Sequence, residues 1–144
     1  MYMHMLPCLC ASTRLAARSI TRLYDSEFRG VGLQAPQFAL LMQLAQKAGM
    51  SQGELLEHIA MDQTTLSRNL AVLTRRKWVK SEVQGRRRTY TLTRAGSTIL
   101  ERAKPGWQRS QEKMRKALGA DWDVVWSALN RLAAAAESTK ETTG

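Results

Sequence analysis

Histidine and cysteine are scarce in this sequence: its 144 residues contain two of each. With two histidines and no P-loop, HExxH, GxSxG or dinucleotide fingerprint, catalysis has no visible machinery, so neither an enzyme nor a cofactor is expected. The two cysteines are expected to be reduced thiols in a reducing cytoplasm. His4, Cys8 and Cys10 together are too few ligands to argue for a metal site, and none is expected. No apolar run approaches the roughly 20 residues that a spanning helix needs, so no membrane partner is expected. The opening MYMHMLPCLC is apolar, but it is short and has no basic leader, and it is not expected to be a secretory signal. Acids are also few: 12 against 22 lysines and arginines, for a formal charge of +10. Such a balance favours an anionic partner. The 44% hydrophobic content is that of an ordinary soluble globular protein.

What is present centres on residues 50 to 93. Ser51-Gln52-Gly53-Glu54 has the form of a capping box, and Leu55, Leu56 and Ile59 follow at helical spacing. Asp62 is placed to cap a second helix. There Leu66, Leu70 and Leu73 form one stripe, while Thr64, Arg68, Ala71 and Arg75 share the opposite face. A helix that packs through leucines and presents small polar groups and arginines outward suits the major groove.

Two strands follow by their period-two alternation: Val79, Ser81 and Val83, then Tyr90 and Leu92. The turn between them, Gln84-Gly85-Arg86-Arg87-Arg88, carries three adjacent cations. From Asp62 to Arg94 the basic residues are Arg68, Arg75, Arg76, Lys77, Lys80, Arg86, Arg87, Arg88 and Arg94, against Asp62 and Glu82 alone. A stretch so biased binds a polyphosphate backbone and releases its counterions. The pattern predicts a mainly α fold with a small β-hairpin wing, a winged helix-turn-helix that binds duplex DNA. Thr64, Thr65, Ser67 and Arg68 are the candidates for the major groove, with Gln63 and Arg75 also expected to bind DNA and Ser51 and Gln52 on phosphates. Arg86, Arg87 and Arg88 are candidates for the adjacent backbone or minor groove. The alternative from another class is an RNA- or protein-binding winged-helix module. RNA reading stacks unpaired bases on exposed aromatics, which make up only 6% of this chain, and the hairpin holds Tyr90 alone.

These residues resemble the MarR family of bacterial transcriptional regulators. Its members carry a leucine-spaced recognition helix, an L-x-x-R-G-x-V segment, an arginine wing and an LT-x-x-G helix start. This chain has Leu73-Thr74-Arg75-Arg76-Lys77-Trp78-Val79 and Leu92-Thr93-Arg94-Ala95-Gly96. Lys77 stands where the family usually has glycine; if that residue is left-handed, lysine there costs on the order of 1 kcal/mol. Gln84 stands where the wing commonly has an aspartate that orients the following arginines.

The flanks read as helices. Cys8 to Phe28 is a first helix, with Arg14, Arg18 and Arg22 on a solvated face and Gly30-Val31-Gly32 ending it. Pro36 starts a second, with Phe38, Leu41, Leu44 and Ala48 as its core stripe and Gly49 at its end. Thr93 is placed to cap a long helix that Pro105-Gly106 should kink or break. Leu118-Gly119-Ala120-Asp121 reads as a stop and a new cap. The last helix carries Trp122, Val125, Trp126, Leu129, Leu132, Ala133 and Ala136 on one side. The chain thus reads as one domain over 1–144, with a DNA-binding lobe at 33–93. Residues 8–32 and 94–136 are the helical dimerisation region, and 137–144 a flexible tail. The terminal helices have more apolar face than a DNA-reading module can cover, and the resemblance implies the same partner, a second copy. A two-fold homodimer reads a pseudo-palindromic operator with half-sites ~34–36 Å apart. The expected location is the cytoplasm, on the nucleoid when DNA is bound.

Two release signals follow from the resemblance. One is a small phenolic or aromatic acid held between the dimerisation helices and the winged helix. The other is oxidation, because Cys8-Leu9-Cys10 resembles the start of the hydroperoxide-sensing OhrR-like branch. Without gaps Cys10 falls on that branch's reactive cysteine, Tyr24 on one of its tyrosines, and Pro36-Gln37 on a matching pair. The other two tyrosine positions hold Arg14 and Ala35. Arg14, one helical turn from Cys10, is a cation placed to favour the reactive thiolate. The sulfenic acid formed on oxidation would capture a second thiol or a backbone nitrogen. A direct Cys8–Cys10 disulfide is geometrically awkward.

Overall fold

Helices account for most of the chain in the computed structural model, which describes residues 7–141. His4 and residues 142–144 of the expected tail lie outside them. The order is α1 (Leu9–Phe28), α2 (Ala35–Gln46), α3 (Gln52–His58), α4 (Gln63–Arg75), β1 (Val79–Gln84), β2 (Arg87–Leu92), α5 (Arg94–Leu118) and α6 (Trp122–Glu141). Single 3-10 turns follow α1 and α5. The fold is the expected one, mainly α with a two-stranded hairpin. The chain divides into two units, the first ending at Trp107 and the second starting at Gln108.

In the first unit the apolar stripes meet in one core. Leu40, Leu41 and Leu44 of α2, Leu55 of α3, and Leu66, Leu70 and Leu73 of α4 are buried with Phe28, Met50 and Val79. Phe28 stacks on Phe38 at 4.7 Å between ring centroids. The break after α1 is closed by Gly32, at φ +74. Its carbonyl accepts from the Arg76 guanidinium at 2.5 Å, and that guanidinium lies 4.9 Å from the Trp78 ring centroid. The Asp25 carboxylate accepts from the Ala35 N–H at 2.6 Å and so caps α2 from α1. The α2 start has a partner the sequence did not suggest: the Gln37 side chain accepts from the Gln34 N–H at 3.1 Å. Helix α2 ends at Gln46, and Ala48, expected in its core stripe, is exposed beyond that end.

Thr93 caps α5 as its position suggested. Its hydroxyl accepts from the Gly96 N–H at 3.0 Å and donates to the Lys77 carbonyl at 2.7 Å. Gly96 is there for space, since a Cβ on it would lie 2.0 Å from the Trp78 carbonyl oxygen. Pro105 does not end the helix: α5 runs unbroken from Arg94 to Leu118. Proline costs the helix one backbone bond, yet packing holds the chain helical across it. At the next residue a Cβ would meet the Glu27 carbonyl oxygen at 2.8 Å, so only glycine lets α5 approach the end of α1 so closely.

The second unit holds the rest of α5 and α6. Trp122 and Trp126 meet edge to face at 5.9 Å, and the Arg115 guanidinium lies 5.1 Å from the Trp122 ring centroid. Helix α6 continues to Glu141, so residues 137–141 are helical, contrary to the expected tail. Local bonds hold this turn: Lys140 pairs with Glu137 at 3.0 Å, and the Thr139 hydroxyl donates to the Ala135 carbonyl at 2.8 Å. No described residue of α6 is buried within the chain, and Val124, Trp126 and Leu129 are 63%, 47% and 50% exposed.

Candidate nucleic-acid interface

Two caps fix the starts of the helix pair. The Ser51 hydroxyl accepts from the Glu54 N–H at 3.2 Å, and the Asp62 carboxylate accepts from the Thr65 N–H at 2.8 Å and the Thr65 hydroxyl at 2.9 Å. The N–H of Thr65, then its hydroxyl, hold the Asp62 carboxyl below its ordinary range. Half of the expected capping box is missing, because the Glu54 side chain turns elsewhere. It pairs with Lys47 at 3.3 Å and with Arg87 of β2. Partial desolvation pushes the Glu54 carboxyl up, and the hydrogen bonds and charges of Lys47 and Arg87 more than offset that, so it lies below its ordinary value.

The leucine stripe buries one side of α4 and exposes Gln63, Thr64, Arg68, Ala71 and Arg75 on the other. The side chains of Gln63, Thr64, Arg68 and Arg75 make no hydrogen bond or ion pair among the described residues. Thr65 and Ser67, expected beside them, are half-buried and already bonded. Thr65 serves the Asp62 cap, and the Ser67 hydroxyl donates to the Gln52 side-chain oxygen at 3.0 Å. The other end of the Gln52 amide donates to the Tyr90 hydroxyl at 3.2 Å. Ser51 and Gln52 therefore have internal partners, although the Ser51 hydroxyl only accepts and keeps its own proton to donate.

The hairpin pairs in register from Val79 with Leu92 to Gln84 with Arg87. Gly85 takes φ +63 at its turn. The three wing arginines separate. Arg87 is tied to Glu54, and Arg88 donates to the Ser81 hydroxyl at 3.1 Å. Arg86, at the exposed tip, has no polar partner among the described residues. The hairpin is stitched to the start of α3 by backbone bonds, Met50 N–H to the Tyr90 carbonyl at 3.1 Å and Tyr90 N–H to the Met50 carbonyl at 2.8 Å. Lys77 does adopt the left-handed conformation, at φ +62.

The redox candidates do not converge within one chain. Cys8 and Cys10 are exposed free thiols at the start of α1. Tyr24 lies fourteen residues further along the same helix, roughly 21 Å away at 1.5 Å per residue. It packs edge to face on Phe28, and burial pushes its phenol up. A feature missed in the sequence is a cleft of about 410 Å³ lined by Tyr24, Phe38, Met42, Gln43, His58 and Trp107, among others. Its residues come from four separated segments, so no local pattern announces it. Among the described residues no helix is long and apolar enough to cross a membrane.

Comparison with known proteins agrees with this geometry. The sequence model of the MarR family matches residues 31–88. Among curated proteins none matches. The structure of the M. tuberculosis transcriptional regulator MosR is similar at a TM-score of 0.83 and 32% identity, covering 92% of this chain and 97% of that one. The same regulator in complex with DNA matches at 0.81 and 33%, over 92% and 98%. Bordetella bronchiseptica BpsR shares the fold at a TM-score of 0.82 and 20% identity, over 92% and 98%. On the strength of a relative above 30% identity matched along almost its whole length, this chain belongs to the MarR family of transcriptional regulators.

Proposed function

We propose that the protein is a sequence-specific repressor that binds a pseudo-palindromic duplex operator as a homodimer in the cytoplasm. The observation that carries the reading is the outer side of α4. Among the described residues the side chains of Gln63, Thr64, Arg68 and Arg75 make no hydrogen bond or ion pair, on a helix whose other side is locked by leucines, and the hairpin adds Arg86. Fixed backbone with uncommitted polar side chains is what base-edge recognition requires. A relative that is 33% identical has been solved with DNA. Dimerisation is supported by apolar surface that the chain leaves uncovered. Leu9 of α1 is 66% exposed, and α6 exposes Val124, Trp126 and Leu129.

Release by a small aromatic or phenolic ligand is supported by the cleft at Tyr24, Phe38 and Trp107, which has apolar walls and a few polar groups. Release by oxidation is the second reading, supported by the exposed thiols of Cys8 and Cys10. Selection of duplexes from a random pool, followed by fluorescence anisotropy, tests the reading. The expected result is a two-fold symmetric consensus with strong preference over scrambled DNA. Failure to enrich any sequence overturns it. Adding organic hydroperoxide and then dithiothreitol separates the signals: loss and recovery supports Cys10, whereas indifference leaves the cleft. Sedimentation of Leu129→Glu tests the dimer, with a monomer expected.

A further inference from the structure

Six bonds across residues 47 to 90 meet at residues 50–54, the approach to α3 and its first turn. Met50, just before it, exchanges two backbone hydrogen bonds with Tyr90 of β2. Gln52 joins Ser67 of α4 to the Tyr90 hydroxyl, at 3.0 and 3.2 Å. Glu54 joins Arg87 of β2 to Lys47 behind α2. The reading helix and the wing are thus connected through side chains that the turn presents. A two-stranded hairpin is marginal in water by itself, so its direction depends on what anchors it.

We infer that this turn is a bracket setting the wing against the reading helix, with Glu54, acting through Arg87, and Gln52, acting through Ser67 and Tyr90, as positioning residues for DNA recognition. The inference rests on the DNA-reading proposal above and assigns roles within it. Arg87 is a strut, and Arg86 is the wing cation that meets DNA. The Glu54 carboxylate faces Lys47 from the end of α2 and Arg87 from the wing, and its charge is spent on them.

The assignment gives a test of sign. An acid close to DNA repels phosphates, so its removal ordinarily strengthens binding. If Glu54 positions the wing, its removal weakens binding. The experiment uses the full chain and a duplex that the wild-type protein selects from a random pool, with a scrambled duplex of equal length. Affinity is measured by anisotropy across a salt series. Glu54→Gln and Arg87→Gln are each expected to weaken the selected duplex by about fivefold, the upper range for an exposed ion pair. The double variant is expected to lose no more than either single one, with the salt slope unchanged because no phosphate contact is lost. Arg86→Gln is expected to weaken both duplexes and to flatten the slope by about 0.9 for each phosphate contact removed. The urea midpoint of each variant shows whether folding accounts for a loss, and losses that track the midpoint overturn the assignment. So does Glu54→Gln binding as tightly as wild type or more tightly, and so does Arg87→Gln flattening the slope as Arg86→Gln does. If the wild-type protein enriches no duplex, the DNA-reading proposal falls and this inference with it. Enrichment followed by tight binding of Glu54→Gln overturns the inference alone.

Discussion

The Ser67 hydroxyl donates to the Gln52 side-chain oxygen at 3.0 Å, which ties the second turn of α4 to the first turn of α3. Both are half-buried, and Gln52 also reaches Tyr90, whose ring is buried under the hairpin. The pair therefore belongs to the frame that carries the residues proposed to face DNA.

That pairing has an energetic signature. Gln52→Ala and Ser67→Ala should each cost about 0.5–1.5 kcal/mol of stability, the usual net worth of a hydrogen bond. Because they remove the same bond, the double variant should lose less than the sum. A double-mutant cycle by urea unfolding checks this, and strict additivity would show the bond contributes nothing.

Arg68 is expected to behave differently, since it is exposed on α4 with no polar partner among the described residues. Arg68→Ala should leave stability nearly unchanged and cost about 1–3 kcal/mol in binding the selected duplex, with relaxed preference at one base position. Equal losses on selected and scrambled DNA would reduce Arg68 to a phosphate contact.

Gly96→Ala should be strongly destabilising although the change is one methyl group. The new Cβ would sit 2.0 Å from the Trp78 carbonyl oxygen and 2.7 Å from a Leu92 methyl. Overpacking of this kind costs about 1–3 kcal/mol or more, read as a lower urea midpoint. The Thr93 cap and Gly96 thus explain why a threonine and a glycine stand three apart where the wing hands over to α5.

The acid side of the stability profile should carry the Asp62 cap. Its carboxyl is held below the ordinary range by Thr65, so the contribution is complete above the unfolded carboxylate value. It is lost as pH falls through the lower folded value, in a window below roughly pH 4. Asp62→Asn keeps a capping oxygen and removes the titration, so its stability should fall less steeply over that window. Urea unfolding from pH 6 downward measures it, and parallel curves would refute the assignment.

Much of the fold was legible because its signals are local. The stripe of Leu66, Leu70 and Leu73, the caps at Ser51, Asp62 and Thr93, and the alternation in the hairpin all act within about four residues. Lys77 in the glycine position correctly marked a left-handed residue, at φ +62. The continuity of α5 through Pro105 was not legible, because proline locally favours a break and the close approach of Gly106 to the Glu27 carbonyl involves a different helix.

The sequence by itself determined the order of the elements, the caps at Ser51, Asp62 and Thr93, and that the stretch from Asp62 to Arg94 is basic. Tertiary structure alone decided which polar side chains have partners far along the chain. Gln52 meets Tyr90 across 38 positions, Arg87 meets Glu54 across 33, and Arg76 meets the Gly32 carbonyl across 44. In the sequence Arg86 and Arg87 are adjacent and chemically identical. Arg86 lies in the turn and Arg87 begins β2, and only the folded chain sets the Glu54 carboxylate beside one of them.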